Sequence, residues 1–281
     1  MNSQKKFPRT FSFEFFPPKD EEGKTKLRET IDELARLKPK YFSVTYGAGG
    51  STRQGTYETV EEIQGRGLGA APHISCVGAT RASIVEQLSG YRALGIDHIV
   101  ALGGDLPSGM AAPGEFRYAY QLVELIRAET GNHFHIEVAA YPEIHPRAPS
   151  AEDDLRYFKH KVACGANSAL TQYFYNADAY LRFIDDCERL GVNVPVVPGI
   201  MPITNFKQLA RFSDGCGAEI PRWIRKRLEG YGDDLESIRS FGLDVSTELC
   251  AKLLATGAPG LHFYTMNRAG PTCAIWARLG L

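Results

Sequence analysis

The chain contains no run approaching the ~20 uninterrupted apolar residues that a membrane-spanning helix needs, so no membrane partner is expected. No apolar stretch follows the basic residues of Met1 to Thr10 either, which excludes a secretory signal of the usual kind and gives a cytoplasmic protein as the expectation. Charge of one sign is not in excess. Lys plus Arg total 32 and Asp plus Glu 33, a net charge of -1, so nothing calls for nucleic acid or an anionic surface. Cysteine is sparse: the six are nowhere closer than 23 positions, no C-x-x-C zinc or redox motif exists, and reduced thiols are expected. Low-complexity tracts and charge blocks are missing too, and no G-x-G-x-x-G follows the first apolar run, which argues against an open dinucleotide-binding sheet.

What the chain has is a rhythm. Eight short runs rich in β-branched and aromatic residues recur roughly every 30 residues: Phe11–Phe16, Tyr41–Tyr46, Ala71–Cys76, His98–Gly103, His135–Tyr141, Ser168–Phe174, Val194–Ile200 and Leu261–Met266. Helical spacing lies between them, as in Leu27, Ile31 and Leu34, or Ile84, Leu88 and Tyr91. Ser150 before Ala-Glu-Asp predicts a helix start, and Gly165 and Gly191 predict helix stops. Eight strand-helix units in 281 residues predict an α/β fold, a single-domain (β/α)8 TIM barrel over residues 1–281. The stretch from Gly215 to Asp244 exceeds a simple loop and is expected to be an insertion before the last strand.

The active face of such a barrel lies at the carboxyl ends of its strands. The polar residues there are Glu14, Thr45 with Tyr46, His73 with Ser75, Asp105, Tyr141 with His145, Gln172, and Asn267 with Arg268. With one group of each kind and no Ser-His-Asp triad, the set suits a large polar organic ligand better than a metal. His133 and His135 form an H-x-H on a strand, weak evidence by itself, so no metal is expected. Alternation puts Glu14 on the face opposite Phe13 and Phe15, with Pro17 and Pro18 closing the chain above it. A carboxyl there is poorly hydrated, the condition under which a general acid keeps its proton near neutral pH; the competing reading is a Glu paired with a Lys or Arg at the mouth. Asp105, among glycines, either meets a heterocycle or forms a turn.

The strings Phe11-Ser-Phe-Glu-Phe-Phe-Pro-Pro18, Ser43-Val-Thr-Tyr-Gly-Ala48, Ala71-Pro-His73, Gly104-Asp-Leu-Pro107, Ala139-Ala-Tyr-Pro-Glu-Ile-His-Pro146, Gly165-Ala-Asn167, Thr171-Gln-Tyr-Phe174, Pro198-Gly-Ile-Met-Pro202 and His262-Phe-Tyr-Thr-Met-Asn-Arg268 together resemble the bacterial methylenetetrahydrofolate reductases. The resemblance covers nearly the whole chain. It implies an FAD-dependent enzyme that passes hydride from NADH or NADPH to 5,10-methylenetetrahydrofolate, in one-carbon metabolism and methionine biosynthesis, with ping-pong kinetics. It further implies Glu14 as proton donor to a folate amine, and Asp105 as a charge beside flavin and pterin. Flavin contacts are implied for Tyr46, Ala48, His73, Gly104, Asp105, Ala119, Tyr141, His145, Ala148, Asp154 and Lys161, and a nicotinamide nucleotide contact for Thr45. Gln172, Gln208, Phe212 and Arg268 are the implied substrate-binding residues. Gly103, Tyr157 and His160 depart from the family pattern, which predicts a weaker grip on FAD; the rival within enzymes is a flavin-independent reductase with direct hydride transfer, and outside them a non-catalytic folate- or flavin-binding barrel. Small-molecule substrates and a homo-oligomer are the expected partners.

Overall fold

A computed structural model of the chain describes residues 1–46, 52–104 and 114–281. Nine parallel strands run through it: β1 Thr10–Phe15, β2 Tyr41–Val44, β3 Ala70–Ser75, β4 His98–Leu102, β5 His135–Ala140, β6 Ser168–Thr171, β7 Val196–Val197, β8 Gly199–Ile200 and β9 Gly260–Tyr264. Their order is β7-β6-β5-β4-β3-β2-β1-β9-β8. Because β7 and β8 are separated only by Pro198, they are two halves of one strand, and the order closes into an eight-membered ring. Proline has no N–H to give the ladder, so the seventh predicted strand is broken there. Pro198 still accepts at its carbonyl, from His262 N at 3.0 Å, so the seam between the halves is bonded to β9. The (β/α)8 barrel expected from the rhythm is the observed architecture.

Helices fill the intervals where the spacing placed them. Leu27, Ile31 and Leu34 are buried in helix Glu21–Ala35, as are Ile84, Leu88 and Tyr91 in Arg81–Ala93. The Ser150 side chain accepts from Asp153 N and starts Ala151–Ala163, while Gly165 and Gly191 follow helix ends with φ of 116° and 72°. The predicted insertion has different limits. Gly215 lies inside helix Phe206–Cys216 and Asp244 inside the 22-residue helix Leu235–Thr256, so the extra element is Arg222–Tyr231 with its flanking turns. These three helices share a separate apolar cluster, including Ile203, Leu209, Ile224, Leu228 and Val245, that seals against Tyr173 and Tyr175 beyond β6. Helical spacing alone could not show that the element had a core of its own.

Strand alternation sorts the side chains into two environments. Phe13, Phe15, Phe42 and Phe263 face the helices and are fully buried, at roughly 1.5–3 kcal/mol of transfer free energy each. The lumen takes the alternate residues and is unusually polar for a barrel whose interior is ordinarily Val, Ile and Leu. Among the described residues, Tyr41, Ala71, Val100, Leu170 and Val197, with the half-buried Leu102 against them, form an apolar belt there. Among and beside them, Glu137 of β5 accepts from the Tyr41 hydroxyl of β2, across the lumen, and from Ser168 Oγ at 2.9 Å, with His98 Nε2 at 3.2 Å. Burial would raise the Glu137 carboxyl, but the charge of His98 and the bonds from His98 and Tyr41 outweigh it and hold the group at about 2. His135, whose Nε2 lies 2.7 Å from Ser168 Oγ, is pushed down to about 4 by burial and by His98.

Both groups are more acidic than in the unfolded chain, so the stability they confer is present above the unfolded values and is lost on acidification. Native stability should therefore fall as pH drops from about 6.5 through 4 on account of His135, and from about 4.5 through 2 on account of Glu137. Replacing Glu137 by Ala should cost about 3–5 kcal/mol in urea unfolding at pH 7 and flatten the lower limb of that profile; an unaltered profile would show that the carboxylate is not a folded-state anchor.

Candidate active site

Register places the opening strand's inward residues beside those of its two neighbours: Ser12 opposite Tyr41 and His262, Glu14 opposite Ser43 and Tyr264. The Glu14 side chain is 16% exposed at the carboxyl end of β1. Its Oε2 lies 3.4 Å from His73 Nε2 and 3.4 Å from His262 Nε2. The partners of this acid are thus two buried imidazoles, and no Lys or Arg pairs with it among the described residues. Burial pushes His73 down, which favours its neutral form, and the charge of Glu14 opposes that shift. His262 is fixed from below, with Nδ1 2.7 Å from Ser12 Oγ. Ser12 stands opposite Tyr41 in the strand register, which sets the Glu14–His262–Ser12 group beside the Tyr41–Glu137 pair. His262 escaped the reading of strand ends because it sits two residues short of its strand's end; its inward position could have been found from the alternation in Leu261-His-Phe-Tyr264.

The backbone around Glu14 is held by the last strand. Thr265 Oγ1 donates to Glu14 O at 2.6 Å, and the Asn267 amide brackets Phe16, accepting from its N at 3.0 Å and donating to its O at 2.8 Å. To do so the chain takes two successive left-handed residues, Met266 at φ 53° and Asn267 at φ 54°. Such a conformation is costly for Met and tolerated by Asn. Beneath this strap Tyr264 crosses to donate to Thr171 O at 2.7 Å, passing where a Cβ on Gly199 would lie 2.6 Å from its ring. Only glycine fits there.

The remaining expected residues fall into groups. Thr45 follows β2 and His73 stands on β3, both beside Glu14; Thr45 Oγ1 is buried without a hydrogen-bond partner among the described residues, and His73 Nε2 has only the 3.4 Å approach to Glu14. Tyr46 follows Thr45 at the same rim, and Gly104 follows β4 at φ 82°, where a Cβ would collide with Ser75 Oγ. Tyr141, His145, Ala148, Asp154 and Lys161 gather beyond β5: the Tyr141 and His145 rings are 4.4 Å apart, His145 N donates to Asp154 Oδ2, Ala148 N donates to His145 O, and Lys161 Nζ donates to Ala139 O. Burial lowers the Lys161 ammonium to about 8. Ala119 opens helix Ala119–Thr130 close by, 3.8 Å from where a Cβ on Gly103 would stand. Gln172 follows β6 directly, while Gln208 and Phe212, four residues apart on one helix, and the exposed Arg268 occupy the rim further round. Asp105 and Ala48 lie outside the described residues.

Two departures from expectation concern the histidines and tyrosines. His133 turns to Ile96 O, but folding brings His98 and Glu137 to His135, with potential ligand atoms within 4.8 Å of one another. Glu137 is already engaged by Tyr41, Ser168 and His98, so the group is a hydrogen-bonded core network. Tyr157 and His160, where the family pattern is broken, join Tyr118 and Tyr120 in a row of rings: Tyr118 lies 5.6 Å from both Tyr120 and Tyr157 at 13° and 16°, and His160 packs edge-on to Tyr120.

A barrel whose open face gathers one acid between two imidazoles, with unsatisfied polar atoms on the adjoining strands, belongs to the (β/α)8 enzymes that bind organic ligands at their strand ends. The profile of the methylenetetrahydrofolate reductase family matches residues 2–280, and the chain belongs to that family. It is 44% identical over 271 residues to the 5,10-methylenetetrahydrofolate reductases of Escherichia coli and Salmonella typhimurium, covering 96% of this chain and 90% of theirs. A rice protein described as a probable methylenetetrahydrofolate reductase (NADH) is 40% identical over 96% of this chain and 48% of its own. Among solved structures, a Clostridium thermocellum protein described as binding two copies of 5-methyl-5,6,7,8-tetrahydrofolic acid superposes with a TM-score of 0.69 at 18% identity, over 96% of this chain and 94% of that one, a likeness of fold.

Removing the strap should be measurable without any ligand. Asn267→Ala forfeits both bonds to Phe16 and places alanine at φ 54°, and should lower stability by about 2–3 kcal/mol in thermal or urea unfolding. A loss below about 0.5 kcal/mol would mean that the bracket does not hold the first strand.

Proposed function

We propose that the protein reduces 5,10-methylenetetrahydrofolate to 5-methyltetrahydrofolate, with NADH or NADPH as donor, FAD as cofactor and Glu14 as the proton source. The observation that carries this reading is Glu14 itself, set between His73 and His262 at the mouth of a barrel of this family. Opening the bridging five-membered ring of the folate requires a proton on one of its amines, and Glu14 is the acid that delivers it. His73 and His262 stand where an N–H on each can support the carboxylate left behind, and Thr265 and Asn267 keep its backbone from shifting.

The residues fit the flavin. The partnerless Thr45 Oγ1 suits a polar edge of the heterocycle or its nucleotide co-substrate, and the close approach at Gly104 admits a backbone-to-ring contact. Lys161, lowered to about 8 by burial beside Asp154, still carries its charge at neutral pH, and an anion such as pyrophosphate would reinforce that charge, while Tyr141, His145, Ala148 and Ala119 border the same patch. When bound, FAD supplies the hydride transfer between nicotinamide and folate, chemistry that no side chain provides. Asp105 is assigned to charge stabilisation beside the ring, Gln172, Gln208, Phe212 and Arg268 to the folate, and Gln172 with Thr45 to the nicotinamide nucleotide. The same reading takes residues 1–281 as one catalytic domain acting on small molecules as a cytoplasmic homo-oligomer in methionine biosynthesis; among the described residues no helix is long and apolar enough to cross a membrane.

Glu14→Gln should slow the folate half-reaction by about 100-fold or more while leaving nicotinamide oxidation within a few-fold of the parent, read by stopped-flow absorbance; equal losses in both halves would remove Glu14 from the acid's role. Freshly purified protein should show flavin absorption, and with Gly103 and His160 in place of cationic partners part of that flavin should be lost on dilution and gel filtration. Colourless protein with full turnover would instead establish direct hydride transfer from the nicotinamide.

A further inference from the structure

On the outside of the barrel, helices Ala119–Thr130 and Ala151–Ala163 bring three ligating side chains together: Glu124 from the first, and His160 with the capping Cys164 from the second. His160 and Cys164 are four residues apart and so share one helix face, with Cys164 N donating to His160 O at 3.0 Å. Cys164 Sγ lies 3.3 Å from Glu124 Oε1 and 3.8 Å from His160 Nε2, and the three ligand atoms are all within 4.8 Å of one another. A tetrahedral ion with bonds of about 2.3 Å to sulfur and about 2.0–2.2 Å to nitrogen and oxygen sets its ligand atoms about 3.4–3.6 Å apart. Hydrogen bonding accounts for less of this geometry, because a thiol has one proton, and giving it to Glu124 leaves none for His160.

The scaffold is fixed independently of the three side chains. Arg127, one turn beyond Glu124, donates to Gly165 O from Nε at 2.9 Å and from Nη2 at 2.7 Å, which ties the residue after Cys164 to the first helix. Gly165 takes φ 116°, and a Cβ there would lie 2.9 Å from Arg127 Cγ. Tyr120, one turn before Glu124, packs edge-on against the His160 ring at 4.4 Å. The helices are therefore held in register at the cluster and the imidazole is already oriented. Among the described residues, no Lys or Arg pairs with Glu124, and neither Glu124 nor His160 has a hydrogen-bond partner other than Cys164. The trio in the lumen differs on both counts, since it is enclosed and both Glu137 oxygens are taken. Glu124 and His160 are exposed, so an ion can enter and water can complete its shell. His160 also faces away from the patch beside β5, into which the neighbouring Lys161 reaches to donate to Ala139 O.

We infer that Glu124, His160 and Cys164 form a binding site for one divalent cation of the zinc class, with water as fourth ligand, that clamps the two helices together. Thiolate, imidazole and carboxylate are the donors that zinc and its neighbours take, whereas calcium and magnesium require oxygen throughout. On binding, the Cys164 S–H bond breaks, its proton leaves to solvent and the sulfur lone pair bonds the ion; nothing is oxidised or reduced. Thiolate and carboxylate together balance the charge of the ion. The site is independent of the folate reading, and sequence spacing hides it because Glu124 comes from a different helix.

The test takes the full-length protein through a chelator and then titrates it with Co2+ and, separately, with Zn2+. Cobalt should give, at one equivalent, sulfur-to-metal charge-transfer absorption and the intense visible bands of a four-coordinate ion. Zinc at about a hundredfold over its Kd should raise the melting temperature by about 5 °C. Cys164→Ser should remove the charge-transfer absorption, and Glu124→Gln or His160→Gln should weaken zinc binding by about tenfold or more in titration calorimetry, with the fold checked by circular dichroism. Zinc should also protect Cys164 of the parent from alkylation, read by mass spectrometry, which needs no substitution. A parent that gives only the weak bands of six-coordinate cobalt overturns the inference, as does zinc affinity that Cys164→Ser leaves unchanged or equal alkylation of Cys164 with and without zinc. Binding that survives all three variants and is lost in His135→Gln overturns it too, assigning the ion to the lumen.

Discussion

A carboxylate inside a barrel costs several kcal/mol unless hydrogen bonds and opposite charge replace the water it loses. This lumen holds two, Glu14 near the mouth and Glu137 a layer deeper, and their needs account for most of the polar residues around them. Tyr41 must reach across the barrel to Glu137, Ser168 must face inward beside it, and His98 must sit against it. Ser12, opposite Tyr41 in register, bonds His262, which in turn reaches Glu14. The arrangement gives up apolar packing in the lumen, which the helix-facing phenylalanines on the outside of the strands offset. In return the imidazoles beside Glu14 are oriented before any ligand arrives.

Much of this was legible in the sequence because barrel strands alternate and recur. The eight runs, their parallel sense and the burial of Leu27, Ile31, Ile84 and Tyr91 all follow from period and spacing. Glu14 was visible as an acid out of phase with its phenylalanines. Its neighbours were harder to see: contacts across a closed ring depend on stagger between strands, and sequence spacing carries no stagger. Hence His262 was missed, and although His135 and Glu137 share a strand face in sequence, the register that brings His98 to them from the neighbouring strand was not readable. The break at Pro198 was written in the chain, yet its effect, two short strands each serving a different neighbour, requires the ring to be closed.

The rim shows a different limit. Residues such as Gln208, Phe212 and Arg268 lie on helices and turns whose placement depends on an element with its own small core, and pattern gave that element the wrong edges. Family resemblance could nominate these positions one by one. It could not show that Arg239 joins Arg268 on one cleft, because that follows from how tightly Gly242 lets a helix approach the turn after β8.

The strap from Thr265 to Asn267 has a consequence in time. Glu14 is synthesised almost first, but His262, Thr265 and Asn267, which contact it or its strand, emerge some 250 residues later, at sequence separations of 248 and 251. A nascent chain on the ribosome therefore carries the acid for nearly the whole of translation without its surroundings, and closing that loop pays its entropy only at the end. The same geometry makes the site a proofreader of completeness: a chain stopped anywhere before the last strand presents Glu14 to water on an open sheet edge, and only a finished ring sets it between His73 and His262.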